Sequence, residues 1–474
     1  MISSIFGIYS SAISFYFLLA RSVRIYFFLM EIPQKVRGTQ DWFGEQQRYY
    51  TFIKKVSRHI FRHFGFTRIS TPVIEMRDLI VRSIGLETDV VSKELYEFKD
   101  KKGRDLVLKP ESTAGVMRSY LENFTQDPQP VYLYYIEPHF RYDRPQKGRF
   151  RQFHQLGSEI IGERDAVLDA ETIHMAVKIL RDCGLGEKFT LKINTLGNAK
   201  EREAYVGELQ QYFRGKAHLL DEVDQARVEK NPLRLLDSKN PDVREILPYA
   251  PQLKAFFKKD TLAYYEAVKG YLDILKIPYV EDPTLVRGLD YYCDVVFECV
   301  DNSGRTQDAY CGGGRYDGLA TSLGSKNPVP AVGFAMGVER LIDSMKESGL
   351  SVINKDILDL YFVQVGEEAK KIALPLSIEA RDCGLKVSAS FGSPSMKTQL
   401  KKANQLNARY VAIIGIMEAR RGVCQFKDMA TGIQKEVKLS ELIQVMTDIV
   451  GEENLDFYDP MKELLFTAPP VEAI

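Results

Sequence analysis

The chain has 474 residues, about three times a typical domain length, and is 45% apolar and 27% charged, which excludes collagen-like, coiled-coil and wholly disordered architectures. Basic and acidic side chains number 64 each, so no global basic field points to a nucleic-acid partner, although a local one remains open. Six cysteines form no Cys-x-x-Cys pair or Cys/His cluster, which predicts no disulfide scaffold and no metal centre and favours a reducing compartment.

The first segment, residues 1–29, is apolar, and Arg21 and Arg24 are its only charged residues. A signal peptide carries its charge before the apolar run, and five serines between Met1 and Ala20 weaken the case for a membrane span. We therefore expect the native protein to start at Met30, with a membrane tether or a targeting address as the alternative.

The elements of the first half combine helices with strands that no helix separates. Helical spacing of apolar residues predicts a helix over 46–64, and Ser112 or Thr113 is suited to cap a second helix. Because the two longest strands are joined by a loop, they predict an antiparallel sheet. Strand-like runs occur at 66–70, 95–98, 106–109, 131–141 and 151–162.

The second half predicts a helical insertion and then a separate domain. Residues from about 198 to 275 are charged and helical, and a hairpin follows over 295–311 with its turn at 301–304. After Gly349 a β-α-β-α-β run, with strands at 358–365, 385–390 and 410–415 and a final helix started by Ser440, predicts a parallel or mixed sheet.

Together these patterns predict an α+β domain over residues 30–350, with an antiparallel sheet and the helical insertion. A C-terminal α/β domain is expected over 356–450. Residues 451–474 form an acidic tail, which composition predicts to be loose.

The loop between the two long strands is strongly basic. From Arg141 to Arg151 it holds five basic residues and one acid, a local charge of +4. Gly148 allows close approach of a bulky anion, and arginine presents fork-shaped donors that match phosphate. We predict a nucleotide phosphate or a nucleic-acid end as the ligand, with a solvated charge run as the alternative.

The second long strand carries polar groups on one face. With period two, Phe153, Gln155, Gly157, Glu159 and Ile161 project to the same side. Gly157 would leave a hollow between an amide and a carboxylate, which predicts a pocket for a small polar molecule. An ion pair between Glu159 and an arginine of a neighbouring strand is the alternative.

A strand-to-helix junction supplies a further carboxylate and two hydroxyls. Glu111, Ser112 and Thr113 lie where a ligand's ammonium group could be held, and a plain capping role for either hydroxyl is equally consistent.

Three glycine-containing stretches complete the candidates. Residues 285–292 set Arg287 beside a glycine and two phenols. The run 311–318 could cradle an anion or bend a strand, and it is not a P-loop because no Gly-Lys-Ser/Thr follows the glycines. Residues 332–341 predict a strand that opens into a helix, with Arg340 on its first turn.

In this order, these stretches resemble the class II aminoacyl-tRNA synthetases and, within them, the histidyl-tRNA synthetases of bacterial type. The helix and strand around Pro72 match the first class motif, the Phe140–Arg151 hairpin the second, and Gly333–Arg340 the third. Two histidine-specific signatures are matched by residues 285–292 and 312–318. The resemblance covers about residues 35–450, with no departure at a motif position.

The resemblance implies a role for each matched residue. Glu159 and Tyr292 would reach the two imidazole nitrogens of histidine. Arg141 and Arg287 would be the catalytic groups at the α-phosphate, and Arg141 and Arg340 would bind ATP. The implied histidine-binding set is Glu111, Ser112, Thr113, Arg141, Gln155, Glu159, Arg287, Tyr291, Tyr292, Tyr316 and Gly333. The implied contacts to the tRNA acceptor end are Arg144, Gln146 and Lys147.

The implied activity is that of a histidine–tRNA ligase, which forms histidyl-adenylate from ATP and then transfers histidine to the 3′ end of its tRNA. Mg²⁺ would arrive with the ATP, and the family resemblance implies a cytoplasmic homodimer with the first motif at the interface. The alternative is a non-catalytic relative that senses histidine as a regulatory subunit.

Overall fold

The fold is described from a computed structural model. It describes residues 32–457 except 87, 147, 237, 239, 304–308, 354–356 and 394. The expectations for residues 1–29, for Lys147 and for the tail beyond 457 lie outside these residues. The described chain forms two compact units that divide between Val352 and Ile353. No helix among the described residues has the length and apolar character to cross a membrane.

Helices cover both faces of a large sheet in the first unit. The predicted first helix is α1, and its stripe of Tyr49, Ile53, Ile60 and Phe61 is buried in the core. The α-helices of this unit are α1 (Gly44–His63), α2 (Arg77–Ile84), α3 (Thr113–Asn123), α4 (Ala166–Asp182), α5 (Ala199–Arg214), α6 (Glu222–Lys230), α7 (Pro241–Ile246), α8 (Lys259–Ile274), α9 (Leu319–Ser322) and α10 (Val338–Glu347).

The strands of the first unit form two sheets. They are β1 (Thr67–Arg68), β2 (Ile74–Met76), β3 (Glu97–Lys99), β4 (Asp105–Leu108), β5 (Val131–Phe140), β6 (Gln152–Ile161), β7 (Phe189–Thr195), β8 (Val280–Glu281), β9 (Cys293–Asp301), β10 (Ala309–Arg315) and β11 (Ala331–Gly337). The large sheet has the order β1-β5-β6-β11-β10-β9-β7-β8, and β2-β4-β3 is a separate small sheet.

The predicted antiparallel pairing holds through the middle of the large sheet. Strands β5, β6, β11, β10, β9 and β7 pair antiparallel in that order. The two edge strands pair parallel, β1 with β5 and β8 with β7, so the whole sheet is mixed. Both edge strands have only two residues, and intervening helices return the chain in the same direction before the parallel partner forms.

The predicted insertion folds as α5, α6, α7 and α8, with short turns of helix between them. A capping box starts α5, because Asn198 accepts from the Glu201 backbone and the Glu201 carboxylate accepts from the Asn198 backbone. The 3₁₀ turns are Ala217–Leu219, Pro232–Leu235, Leu247–Tyr249 and Leu253–Phe256, and Val90–Glu94, outside the insertion, is a π-helical turn.

The second unit has a mixed five-stranded sheet. Its strands are β12 (Leu360–Gln364), β13 (Val387–Ala389), β14 (Tyr410–Ile414), β15 (Val423–Asp428) and β16 (Gln434–Lys438), in the order β13-β12-β14-β15-β16. The first three are parallel, as the β-α-β-α-β run predicts, and β15–β16 is an antiparallel hairpin that our sequence reading missed. Its helices are α11 (Glu367–Asp382), α12 (Met396–Gln405), α13 (Ile416–Arg421) and α14 (Leu442–Val450), followed by the 3₁₀ turn Glu452–Asn454.

Two expectations at the end of this unit need correction. The last helix begins at Leu442 with Glu441 at its cap position, two residues after the predicted Ser440. The tail is not loose over its first residues, because the Asp456 amide donates to the Gly384 carbonyl at 2.8 Å and Leu455 packs against the core of the second unit.

A buried ion pair joins the large sheet of the first unit to its helices. Arg315, at the end of β10, is fully buried and donates to Asp169 of α4 at 2.5 Å. Tyr264 of the insertion donates to the same carboxylate at 2.7 Å, and Asp317 accepts from Arg315 at 3.1 Å. This network fixes the chain on either side of Tyr316.

Replacing Arg315 with methionine is expected to lower the free energy of unfolding by about 3–5 kcal/mol, because it leaves a buried carboxylate uncompensated. Urea unfolding should show this loss, and adding Asp169→Leu should recover much of it. The matched control is Arg214→Met, since the Arg214–Glu229 pair is exposed and solvent screening leaves it a much smaller contribution to stability. Equal losses in Arg315→Met and Arg214→Met would contradict a structural role for the buried pair.

Candidate active site

The register of the large sheet brings two predicted residues together at its centre. Glu159 of β6 lies directly opposite Gly333 of β11. A Cβ atom on Gly333 would lie 1.7 Å from Oε2 of Glu159, so only glycine leaves room for this carboxyl group. Gly333 is therefore required by close approach rather than by backbone conformation.

Hydroxyl groups surround the Glu159 carboxyl group, which is 1% exposed. Thr113 donates to Oε1 at 2.8 Å, Tyr316 donates to Oε2 at 2.5 Å, and Tyr135 donates to Oε1 at 3.3 Å. None of these partners is an arginine, so the alternative of a structural ion pair is wrong. Burial raises the pKa of Glu159 from 4.5 to about 8, against the opposing effect of the hydroxyl donors.

The raised pKa of Glu159 predicts a pH-dependent contribution to stability. The folded state favours the protonated carboxyl group, so this contribution is complete below pH 4.5 and is lost as pH rises to about 8. Relative to Glu159→Gln, which cannot ionise, the free energy of unfolding of the unsubstituted protein should fall by a few kcal/mol, on the order expected for such a shift. Chemical denaturation at several pH values between these limits tests this, and parallel curves for the two proteins would contradict it.

The predicted hollow at Gly157 is partly filled. A Cβ atom at Gly157 would lie 2.5 Å from the Tyr135 hydroxyl oxygen and 2.4 Å from the Phe334 carbonyl oxygen. Tyr135 lies opposite Gly157 across the β5–β6 pair, so its ring occupies the space that the glycine leaves. The floor of the site is thus a phenol hydroxyl bound to Glu159, rather than an open depression.

The junction before α3 is arranged differently from the simple capping prediction. The Ser112 hydroxyl pairs with Nε2 of His139 at 2.7 Å and makes no capping bond. Instead, Glu111 accepts from the amides of Thr113 and Ala114, both at 2.7 Å. Each oxygen of Glu111 therefore keeps a lone pair for a further donor.

The remaining predicted histidine-binding residues lie around this cluster. The Tyr291 ring is 4.6 Å from the Tyr292 ring and 5.6 Å from the Tyr316 ring, measured between centroids. Oε1 of Gln155 is buried without a hydrogen-bond partner among the described residues. A buried amide oxygen of this kind can accept a hydrogen bond from a ligand.

An arginine-rich cavity of about 410 Å³ adjoins this cluster, and Gln155 contributes to its wall. Burial lowers the pKa of Arg141 and of Arg340, and the neighbouring positive charge of Arg149 lowers both further. An anion in the cavity would relieve this repulsion. The arginines of its wall are Arg141, Arg149, Arg234, Arg287 and Arg340, and its carboxylates are Asp89, Glu94, Asp143, Glu298 and Glu339.

Arg287 enters this cavity as an ion pair with Glu298 of β9. The Glu298 charge raises the pKa of Arg287 against the effect of burial. A Cβ atom on Gly312 would lie 2.4 Å from the Arg287 guanidinium group, which explains the first glycine of the 312–314 run. The run lies within strand β10, and Gly312 also lines the arginine-rich cavity.

The basic loop between β5 and β6 is partly neutralised by its own contacts. Arg149 pairs with Asp143 at 2.7 Å, and the Arg151 guanidinium group lies 3.9 Å from the centre of the Tyr142 ring. The side chains of Arg144 and Gln146 are exposed. A solvated charge run is therefore not a full description of the loop, because Arg141 and Arg149 face the cavity.

Two residues of the site were missed from the sequence. Tyr135 carried a usable signal, since period two on β5 places it on the face of Glu137 and His139, opposite a glycine. Glu298 also carried a signal, because it is the only charged residue between Val295 and Val300 in a buried strand. Only the register showed that Glu298 lies beside Gly312 and meets Arg287.

Known proteins resemble this chain over most of its length. Residues 38–341 match the family model described as "Histidyl-tRNA synthetase", and residues 359–449 match the one described as "Anticodon binding domain". A histidine–tRNA ligase of Geobacillus sp. (strain WCH70) is 40% identical over 416 residues, 87% of this chain and 98% of that protein. That of Halothermothrix orenii is 41% identical over 415 residues, 87% and 99% respectively. The crystal structure of apo S. aureus histidyl-tRNA synthetase matches with a TM-score of 0.72 at 34% identity, over 88% of this chain and 100% of that one.

Proposed function

The chain belongs to the histidyl-tRNA synthetase family, and from this premise we propose that its site joins L-histidine to tRNA(His) in two ATP-dependent steps. The observation that carries this function is the buried carboxyl group of Glu159, surrounded by hydroxyls and directly beside an arginine-lined cavity. The carboxyl group and its hydroxyl neighbours can hydrogen-bond a small polar ring, and the arginines of the cavity can bind a polyphosphate.

Histidine binds with its imidazole ring against Glu159 and Tyr292. The ring has one donor and one acceptor nitrogen, so partners on both sides select it over isosteric side chains. Its ammonium group faces the remaining lone pairs of Glu111, together with Thr113 and Oε1 of Gln155, for which the described part of the chain supplies no hydrogen-bond donor. Tyr291, Tyr316 and Gly333 shape this pocket, and Ser112 acts indirectly, through its bond to His139.

In the first step, a carboxylate oxygen of histidine attacks the α-phosphorus of ATP, and the bond to the bridging oxygen of pyrophosphate breaks. A carboxylate is already a nucleophile, so this step needs no general base. It needs in-line positioning and stabilisation of charge on the α-phosphate oxygens. Arg141 and Arg287 supply that charge as the catalytic groups, and Arg340 binds the γ-phosphate end of ATP.

In the second step, the terminal ribose hydroxyl of the tRNA attacks the acyl carbon, and AMP leaves. Arg144 and Gln146, both exposed at the tip of the β5–β6 loop, contact the acceptor end, as does Lys147. The second unit binds the anticodon, which the family model of residues 359–449 supports. Mg²⁺ accompanies the triphosphate, for which the carboxylates of the cavity wall are suitable oxygen ligands.

The enzyme acts as a cytoplasmic homodimer with the first class motif at its interface, a state that the family resemblance supports. Analytical ultracentrifugation of the purified chain should then give a mass of about twice 54.1 kDa. A single species at the monomer mass, at concentrations where the enzyme is active, would contradict the dimer.

The test of the activity is exchange of pyrophosphate into ATP, without tRNA, in the presence of each of the twenty amino acids in turn. Exchange with histidine alone is expected. A folded protein that binds histidine but exchanges with no amino acid would favour the histidine-sensing regulatory subunit instead.

A further inference from the structure

A second cavity, of about 500 Å³, lies between the helical insertion and the edge of the large sheet. None of its described lining residues belongs to the arginine-lined cavity. Its volume falls within the range of sites that hold small organic ligands. The apolar part of its wall includes Leu236, Leu247, Leu253, Phe257, Leu262 and Tyr265.

The wall of this second cavity includes a tyrosine hydroxyl group that makes no hydrogen bond to any described residue. Tyr205 of α5 is 2% exposed, and its hydroxyl makes no hydrogen bond to any described residue. Burial raises the pKa of Tyr205 to about 12, so the hydroxyl is a neutral donor. Because Tyr205 lines the cavity, this hydroxyl can donate to a ligand there.

The charged residues of the wall favour an anionic ligand. Glu266 and Glu281 are both held by Lys269, at 2.7 and 3.1 Å. Arg244 and Lys254 are exposed at the mouth and form no ion pair with any described residue. The lining therefore offers two cations that its own carboxylates do not neutralise.

We propose that the second cavity is a ligand site for a small molecule with an apolar, ring-sized body and one carboxylate or sulfonate group. Arg244 and Lys254 bind the anionic group, and Tyr205 donates to an acceptor on the body. Pro283 and Thr284 form part of the wall and precede Arg287 by only a few residues. A ligand in the second cavity would therefore alter the position of the segment that carries Arg287 into the arginine-lined cavity.

Anilinonaphthalene sulfonate, which has such a body and such a charge, is the probe for the full chain. One equivalent is expected to bind with enhanced fluorescence, and saturating ATP and histidine should shift its affinity without abolishing its binding, because coupled sites affect one another reciprocally. The double variant Arg244→Glu/Lys254→Glu should weaken binding by about tenfold or more, as expected when two charged contacts are reversed. Leu262→Trp, which fills the cavity, should weaken it independently.

The matched control is Lys216→Glu/Lys259→Glu, which changes the net charge equally at exposed insertion residues outside the cavity wall. Equal loss of binding in both double variants, or complete competitive displacement of the probe by ATP, would overturn the proposed site. With the probe bound, the KM for ATP in pyrophosphate exchange should change in the unsubstituted protein and not in Arg244→Glu/Lys254→Glu. Unchanged kinetics would overturn the link to Arg287, whereas absence of all exchange would count against the proposed activity instead.

Discussion

Replacing Arg287 with alanine is expected to slow histidine-dependent pyrophosphate exchange by about a hundredfold or more, the usual effect of removing one preorganised donor from a developing charge. Arg287 lies in the arginine-lined cavity, and its Nε has no hydrogen-bond partner among the described residues. Its charge is needed when negative charge grows on the α-phosphate oxygens. Histidine binding, measured by calorimetry, should change far less than the rate.

The ion pair with Glu298 makes a second variant necessary. Arg287→Ala alone leaves Glu298 as an uncompensated carboxylate in the cavity, which could itself repel ATP. The double variant Arg287→Ala/Glu298→Gln removes that repulsion. If its exchange rate stays low, Arg287 acts on the phosphate; if the rate recovers, Arg287 serves only to neutralise Glu298, and the catalytic assignment is wrong.

The substitution Glu159→Gln is expected to raise the KM for histidine about a hundredfold or more, because a site built to hydrogen-bond a polar ring discriminates strongly when one partner is altered. The amide keeps the shape of the carboxyl group but cannot accept from Thr113 and Tyr316 on both of its heavy atoms. The KM for ATP should stay unchanged, since Glu159 does not line the arginine-rich cavity. Steady-state exchange kinetics with each substrate varied in turn measure both constants.

Two further variants distinguish a role of Glu159 in histidine binding from a role in stabilising the fold. Tyr316→Phe removes one hydrogen bond to Glu159 and keeps the ring, so it should raise the KM for histidine in the same direction by less. Glu171→Gln alters a half-buried carboxyl group on α4, outside the site, and should leave both constants unchanged. Equal increases in the KM for histidine and in the KM for ATP in Glu159→Gln would show that Glu159 only supports the structure.

Local patterns were sufficient for many of the elements and for choosing most of the candidate site residues. The periodicity of β5 and β6 placed both strands within a residue of their ends and put Gln155 and Glu159 on one face. The change from strand to helix at Gly337 placed Arg340 on the first turn of α10. The hairpin β15–β16 was missed, because its alternation is short and its outer strand is mostly exposed.

The sequence by itself determined many of the helices and strands, the order of the motifs, and the chemical character of the two ligand regions. Only the tertiary structure decided which side chains contact one another in the site. Glu159 meets Thr113 from 46 residues away and Tyr316 from 157, and Arg287, in the loop before β9, meets Glu298 of β9. Periodicity and turn chemistry act over a few residues, whereas such contacts depend on strand register across the whole sheet. For the same reason, the filling of the Gly157 hollow by Tyr135 and the second cavity became visible only in the folded chain.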